Sequence, residues 1–285
     1  MANLHLVYVP FRGVGIDHRN NEWFRERVEI FKRYTLVSLL NQTDKDFVLW
    51  LSFRPQDELN PVVKELSDHL RECNITFMFT FHGLIYHDDK FTKGLWPRLK
   101  NCGRIVRGCW RNRDFAPLVA SVKEVFQDKN DTLVQRIGES LKDLDGVFRK
   151  VEWVFLTRID SDDMFRSDVI ELLHKTKPFE GACVHKRGYI YNSDTNQLAE
   201  YLPRTNPPFH TIIFPAKVFF DPQKHHEYMG GYESHEDVPY LFDTKVMPDF
   251  SYCVTTHNPK NHISTTFLHP FRGKPVDVEL LNNFI

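Results

Sequence analysis

The chain has 285 residues and a formal net charge of −1, long enough to bury a large core and too neutral to carry a global electrostatic footprint for nucleic acid. Its five cysteines, Cys73, Cys102, Cys109, Cys183 and Cys253, are odd in number and contain no C-x-x-C. That argues against a disulfide framework or a zinc knuckle and for a reducing, cytoplasmic setting.

Taken in order, MANLHLVYVPFRG has no charged region followed by a long apolar run, so no signal peptide is expected. No stretch reaches the roughly 18–20 apolar residues of a membrane helix, and any membrane contact is expected to be peripheral. Leu4–Val9 reads as a first strand closed by Pro10, Gly13 and Gly15. Arg12 sits just past its end, either as a phosphate or base contact or as an exposed loop arginine. Glu22–Asn41 places Trp23, Val28, Phe31, Leu36, Leu39 and Leu40 at helical spacing. Phe47–Leu51 is a second buried strand, Asp57–Arg71 an amphipathic helix and Ile75–Phe81 a third strand. The alternation predicts an α/β fold with a mostly parallel, Rossmann-like central sheet flanked by helices.

Residues 82–113 carry Pro97 and the basic series Arg98, Lys100, Arg104, Arg107, Arg111 and Arg113. Such a run is either a solvated face or the source of a diphosphate clamp, for which arginine is suited. Phe115–Phe126 and Thr132–Phe148 have helical patterns. Further on, Gly181–Tyr191 reads as one strand, Tyr201–Pro208 as irregular, Thr211–Phe214 as a short strand and Gly230-Gly231-Tyr232 as a flexible loop. The strict alternation is lost from Met247, which leaves an irregular C-terminal half.

The most informative stretch is Val151–Phe165, VEWVFLTRIDSDDMF. Trp153-Val154-Phe155-Leu156 suits a strand buried on both faces, and Arg158, Asp160, Asp162 and Asp163 follow at its carboxyl end. Open α/β sheets bind their ligands at that end. Three aspartates so close repel one another, and their hard oxygens suit Mg²⁺ or Mn²⁺ bound together with substrate phosphates. Two plainer readings compete. Asp162 or Asp163 could cap a helix running through Val169–Leu173. A calcium loop counted from Asp160 would need glycine where Phe165 stands.

Four stretches resemble a known family: Tyr34–Trp50 (YTLVSLLNQTDKDFVLW), Thr157–Met164 (TRIDSDDM), Ser234–Phe242 (SHEDVPYLF) and His257–Ser264 (HNPKNHIS). Together they are similar to a GT-A glycosyltransferase of the inverting family-2 type, most like its rhamnosyltransferase group. The resemblance implies one GT-A domain over residues 1–285, with a nucleotide-sugar-binding half (1–165) and an acceptor-binding half (166–285). It implies a nucleotide-diphospho-sugar donor, Mn²⁺ or Mg²⁺ as cofactor, and a glycan or lipid-linked glycan as acceptor. Asp162 and Asp163 would ligate the metal, with His257, or alternatively His262, completing the shell. Asp160 would contact the ribose or support the metal, and Arg158 and Arg12 would join it in holding the nucleotide. Asp237 would be the general base, with Glu236 next in line. Where the family often ends its second strand on an acidic residue, this chain has Ser52-Phe53-Arg54. The rival readings are a catalytically silent sugar- or nucleotide-binding protein of the same fold, and a nucleotidyltransferase.

Overall fold

Three parallel strands open the main sheet: β1 (Asn3–Pro10), β2 (Val48–Ser52) and β3 (Phe77–Thr80). β4 (Trp153–Arg158) pairs in parallel with the other side of β1, which gives the order β3-β2-β1-β4. The strand order therefore reverses between β1 and β4, and open α/β sheets form their ligand crevice outside the carboxyl ends at such a point. Beyond β4 the seven-stranded sheet continues through β9 (His210–Pro215), β6 (Gly181–Val184) and β10 (Thr244–Val246), with β9 antiparallel to both neighbours. The computed structural model describes residues 3–11, 21–82, 95–112, 133–145, 150–230, 232, 234–256 and 272–285, together with 115, 118, 119 and 122.

Strand periodicity explains why these runs are apolar throughout. Successive side chains point to opposite faces, and here both faces are covered. Val7, Val9, Leu49, Leu51 and Phe155 enter one core, whereas Leu4, Leu6, Trp50, Val154 and Leu156 enter the other. The first core is closed by α1 (Asn21–Phe31) through Phe24, Val28 and Phe31, and by α3 (Pro61–Glu72) through Val62, Leu66 and Leu70. Asn60 caps α3 and Pro61 takes its first turn, so this helix starts later than the expected Asp57. The second core is closed by Ile137 and Leu141 of α5 (Leu133–Asp145) and by Phe219 and Met229 of α7 (Ala216–Phe219) and α8 (Pro222–Met229).

The expected helix Glu22–Asn41 is present but not uniform. After α1 it widens into a π-turn over Lys32–Leu36 before α2 (Val37–Leu40). The turn buries three consecutive side chains, Tyr34, Thr35 and Leu36, and such bulges often mark functional positions. The basic series from Arg98 to Arg111 lies in an 18-residue helix, α4 (Leu95–Asn112), while Arg113 falls outside the described residues. Gly181–Tyr191 is not one strand either. The chain leaves the main sheet after Val184 and re-enters a second sheet as β7 (Gly188–Asn192).

That second sheet joins β5 (Met164–Phe165), β7, β8 (Gln197–Tyr201), β11 (Tyr252–Thr256) and β12 (Arg272–Val276). Among the described residues its strand order is β12-β8-β7-β11-β5. The C-terminal region thus holds strands that its turn-rich sequence concealed. Residues 159–163 connect β4 of the large sheet to β5 of the small one, so the acidic loop is the bridge between them. Among the described residues no helix is long and apolar enough to cross a membrane.

Candidate active site

The acidic loop leaves the carboxyl end of β4 beside β1, where the Ile159 N–H donates to the Tyr8 carbonyl. This is the reversal point of the strand order, and it presents Arg158, Asp160, Asp162 and Asp163 together. The helix-cap reading of the aspartates does not hold, because Asp168 stands at the N-cap of α6 (Val169–His174).

Asp162 is almost wholly buried and is gripped by Arg27 of α1. The Arg27 Nη1 and Nη2 groups donate to its two carboxylate oxygens at 2.7 Å each, and Nε donates to Ser161 Oγ at 2.9 Å. The side chains are 14% and 7% exposed, so this is a buried, bidentate pair. Burial works against the Arg27 charge, but Asp162 outweighs it and holds the guanidinium above its ordinary pKa. Asp163 accepts the Thr255 N–H at 3.0 Å, and the Thr255 hydroxyl donates to the Asp162 carbonyl. Burial, and then the neighbouring Asp162 and Asp160, push the Asp163 pKa well above the usual carboxylate range, against the pull of Thr255 and Arg27.

The helix face carrying Arg27 holds the loop from one side. The Thr35 hydroxyl donates to the Asp160 carbonyl at 3.4 Å, and Ser38 Oγ accepts the Phe165 N–H at 3.3 Å. Gln42 is buried; its amide nitrogen donates to the carbonyls of Ser38 and Arg166, and its oxygen accepts the Ile170 N–H. Strand β11, through Thr255, holds the loop from the other side. The loop is clamped, and little of that clamp is local in sequence.

Arg158 and Asp160 are less enclosed, with side chains 23% and 21% exposed and a 3.0 Å bond from Nη2 to Oδ1. Burial disfavours the Arg158 charge, but Asp160 and the oxygens of Tyr232 and Tyr8 more than offset it, so its pKa lies above the usual value. Tyr232 is buried and in contact with Arg158; burial raises its phenol, Arg158 lowers it, and Asp160 and Asp237 raise it further. Asp237 and Asp160 thus both act electrostatically on the buried Tyr232 phenol.

Asp237 ends the turn His235–Asp237, just before α9 (Val238–Leu241). One of its oxygens accepts the Ser234 N–H at 2.8 Å, completing a capping box. It is half-buried. Glu236 is exposed and accepts the Thr205 hydroxyl at 2.9 Å. Arg12, His257 and His262 lie outside the described residues.

The oxygen donors suit a hard divalent ion in kind, and three carboxylates face two guanidiniums, Arg27 and Arg158. The fit is limited to Asp160 and Asp163, since Arg27 occupies both Asp162 oxygens. Among the described residues no group of three or more His, Cys, Asp and Glu side chains is arranged to hold a metal ion. Two carboxylates still match the way Mg²⁺ is held when phosphates supply the remaining oxygens.

The residues that hold the loop, and Tyr232 beside it, escaped the sequence reading. Arg27 had a visible signal: it falls on the buried stripe between Phe24 and Phe31, three and four residues away, where an arginine needs an acidic partner. Tyr232 had none, since its glycine neighbours suggest only a loop.

Residues 19–78 match the family described as "Putative rhamnosyl transferase". No curated protein matches the chain. The matched segment contains Arg27, Thr35, Ser38 and Gln42, the face that holds the acidic loop. Over this segment the chain is similar to a rhamnosyltransferase family, and the likeness supports glycosyltransferase activity.

Proposed function

We propose that the protein is a metal-dependent GT-A glycosyltransferase of the family-2 type, one domain over residues 1–285. It moves a sugar from a nucleotide-diphospho-sugar to a hydroxyl of a glycan or lipid-linked glycan, with inversion. The observation that carries this reading is that Arg158 and Asp160, at the carboxyl end of β4 beside β1, and Asp237 all act on one buried phenol, Tyr232.

In this reading the acceptor O–H gives its proton to the Asp237 carboxylate as its own oxygen bonds to the anomeric carbon. The bond from that carbon to the diphosphate breaks, and its electron pair leaves with the nucleoside diphosphate. Inversion follows because attack and departure lie on opposite faces. Arg158 stays charged throughout and offers N–H donors toward the leaving phosphates, while Asp160 orients it. Asp160 and Asp163 would hold Mn²⁺ or Mg²⁺, with Asp162 joining only if Arg27 releases it. The bound ion would supply Lewis-acid neutralisation of the diphosphate. The clamp on the loop keeps these groups in place before substrate arrives, which favours transfer over reorganisation.

A second reading, a silent nucleotide- or sugar-binding protein, is favoured by one observation: both oxygens of Asp162 are committed to Arg27. The two separate in a single experiment. Nucleoside diphosphate release is measured across a panel of UDP-, GDP- and dTDP-sugars, with and without Mn²⁺, for wild type and Asp163→Asn. Metal-dependent release that disappears in the variant is expected. Tight nucleotide binding by calorimetry, with no release under any acceptor or metal condition, establishes the silent protein instead.

A further inference from the structure

The helix α4 (Leu95–Asn112) takes no part in the site above. Its sequence LWPRLKNCGRIVRGCWRN contains Arg98, Lys100, Arg104, Arg107 and Arg111 and no acidic residue. In a chain of net charge −1 this is a strong local bias.

The exposure of its apolar residues is more telling. Trp96 is 81% exposed, Leu99 44%, Val106 45% and Trp110 75%. With Gly103, which is also exposed, they fall at spacings of three, four, three and four residues, and so form one straight stripe on the helix. Leu95, 67% exposed, extends it. The opposite side is buried through Ile105 and Cys109, so the helix is seated by one face and shows an apolar face outward. At 3.6 residues per turn, positions 100, 104, 107 and 111 run along one flank of that stripe. Arg107 on this flank is exposed.

An apolar stripe with tryptophans near both ends, flanked by basic positions and free of acidic ones, has the composition of a helix lying in the plane of a membrane interface. The indoles suit the headgroup boundary, and the basic flank suits anionic lipid. Trp96 and Trp110 stand about 21 Å apart along the helix axis, so both can enter one flat surface. A nucleic acid would use the charges and leave the apolar stripe in water.

We propose that the outward face of α4 docks the protein on an anionic membrane surface, with Trp96, Leu99, Val106 and Trp110 entering the interface and the basic flank meeting the headgroups. This docking is independent of the glycosyl-transfer reading.

The full chain is co-sedimented with vesicles of phosphatidylcholine alone and of phosphatidylcholine mixed with phosphatidylglycerol. Binding to the anionic vesicles is expected to be at least about tenfold tighter, and to weaken as salt is raised. Trp96→Ala/Trp110→Ala should lose about tenfold or more on the anionic vesicles. Both indoles are exposed, and an unchanged thermal melt verifies that the variant is folded. Arg107→Glu leaves the apolar stripe intact and should weaken binding to the anionic vesicles alone. No binding, equal binding to both vesicles, or undiminished binding by the double variant overturns the proposal. So does a wild-type dimer in sedimentation equilibrium that the double substitution dissociates, since the face then belongs to a second copy.

Discussion

The two acidic stations of the site differ in burial and in how much of their support is local. The loop Asp160–Asp163 is held by partners far away in sequence: Arg27 on α1, Thr35 beyond it and Thr255 on β11. The turn at Glu236 and Asp237 is closed by its own capping box with Ser234, is tied from outside by Thr205 and Asn206, and lies partly in solvent. A buried charge with a distant partner ties local geometry to the stability of the whole fold. A capped surface turn does not. The loop should therefore resist substitution mainly by failing to fold, and the turn mainly by failing to react.

The largest effect expected from this difference is at Arg27. Arg27→Met leaves the Asp162 carboxylate buried without its guanidinium, a loss of about 3–5 kcal/mol read from urea unfolding. Adding Asp162→Leu should return part of that loss, because the orphaned charge is then gone. If Arg27→Met costs under about 1 kcal/mol, the loop is not held by this pair and the contrast fails.

Asp237→Asn tests the other station. The amide oxygen can still accept the Ser234 N–H, so stability should change by less than about 1 kcal/mol. Sugar transfer should nevertheless fall by about 10²–10⁴-fold, the usual worth of a positioned general base. Full activity in this variant would move the base to Glu236 or elsewhere.

The smallest effect is a pH dependence located behind the loop. His185 is buried against Phe165, with Nδ1 2.6 Å from Ser251 Oγ. Burial, and then Arg166, lower its pKa from 6.5 to about 3. The unfolded chain takes up a proton near pH 6.5 that the folded chain refuses until about pH 3. Its contribution to stability is therefore complete above pH 6.5 and is lost as pH falls from there toward 3, by at most about 1.4 kcal/mol per pH unit. Urea midpoints compared at pH 7 and pH 5 should fall less in His185→Gln than in wild type. Parallel slopes would show that the histidine is not the group responsible.

The same contrast explains what could be read from the sequence. The parallel core was legible because β1, β2 and β4 are short runs of large apolar residues and α1 and α3 carry regular stripes, features that local periodicity reports directly. The turn at Asp237 was picked out only through the resemblance carried by Ser234–Phe242, although its capping box lies within four consecutive residues. Asp160, Asp162 and Asp163 were visible as a cluster, but their partners were not, because Arg27 is 135 residues from Asp162 and Thr255 is 92 from Asp163. The split of Gly181–Tyr191 between two sheets is likewise a choice of partners, which alternation within the strand cannot record. The helix α4 was obscured by Pro97 and by basic residues that mask its outward stripe.

The bridge between the sheets also sets an order of assembly. The loop needs residues from three distant parts of the chain, so its closure is among the most non-local events the fold requires. During synthesis, α1 emerges with Arg27 well before the aspartate that will neutralise it, and Thr255 follows later still. The large sheet can form its first parallel strands while the acidic segment remains unclamped. Completion of the site is thus tied to the arrival of β11, and a chain stopped short of Thr255 would have its nucleotide-side strands but a loop held on one side only.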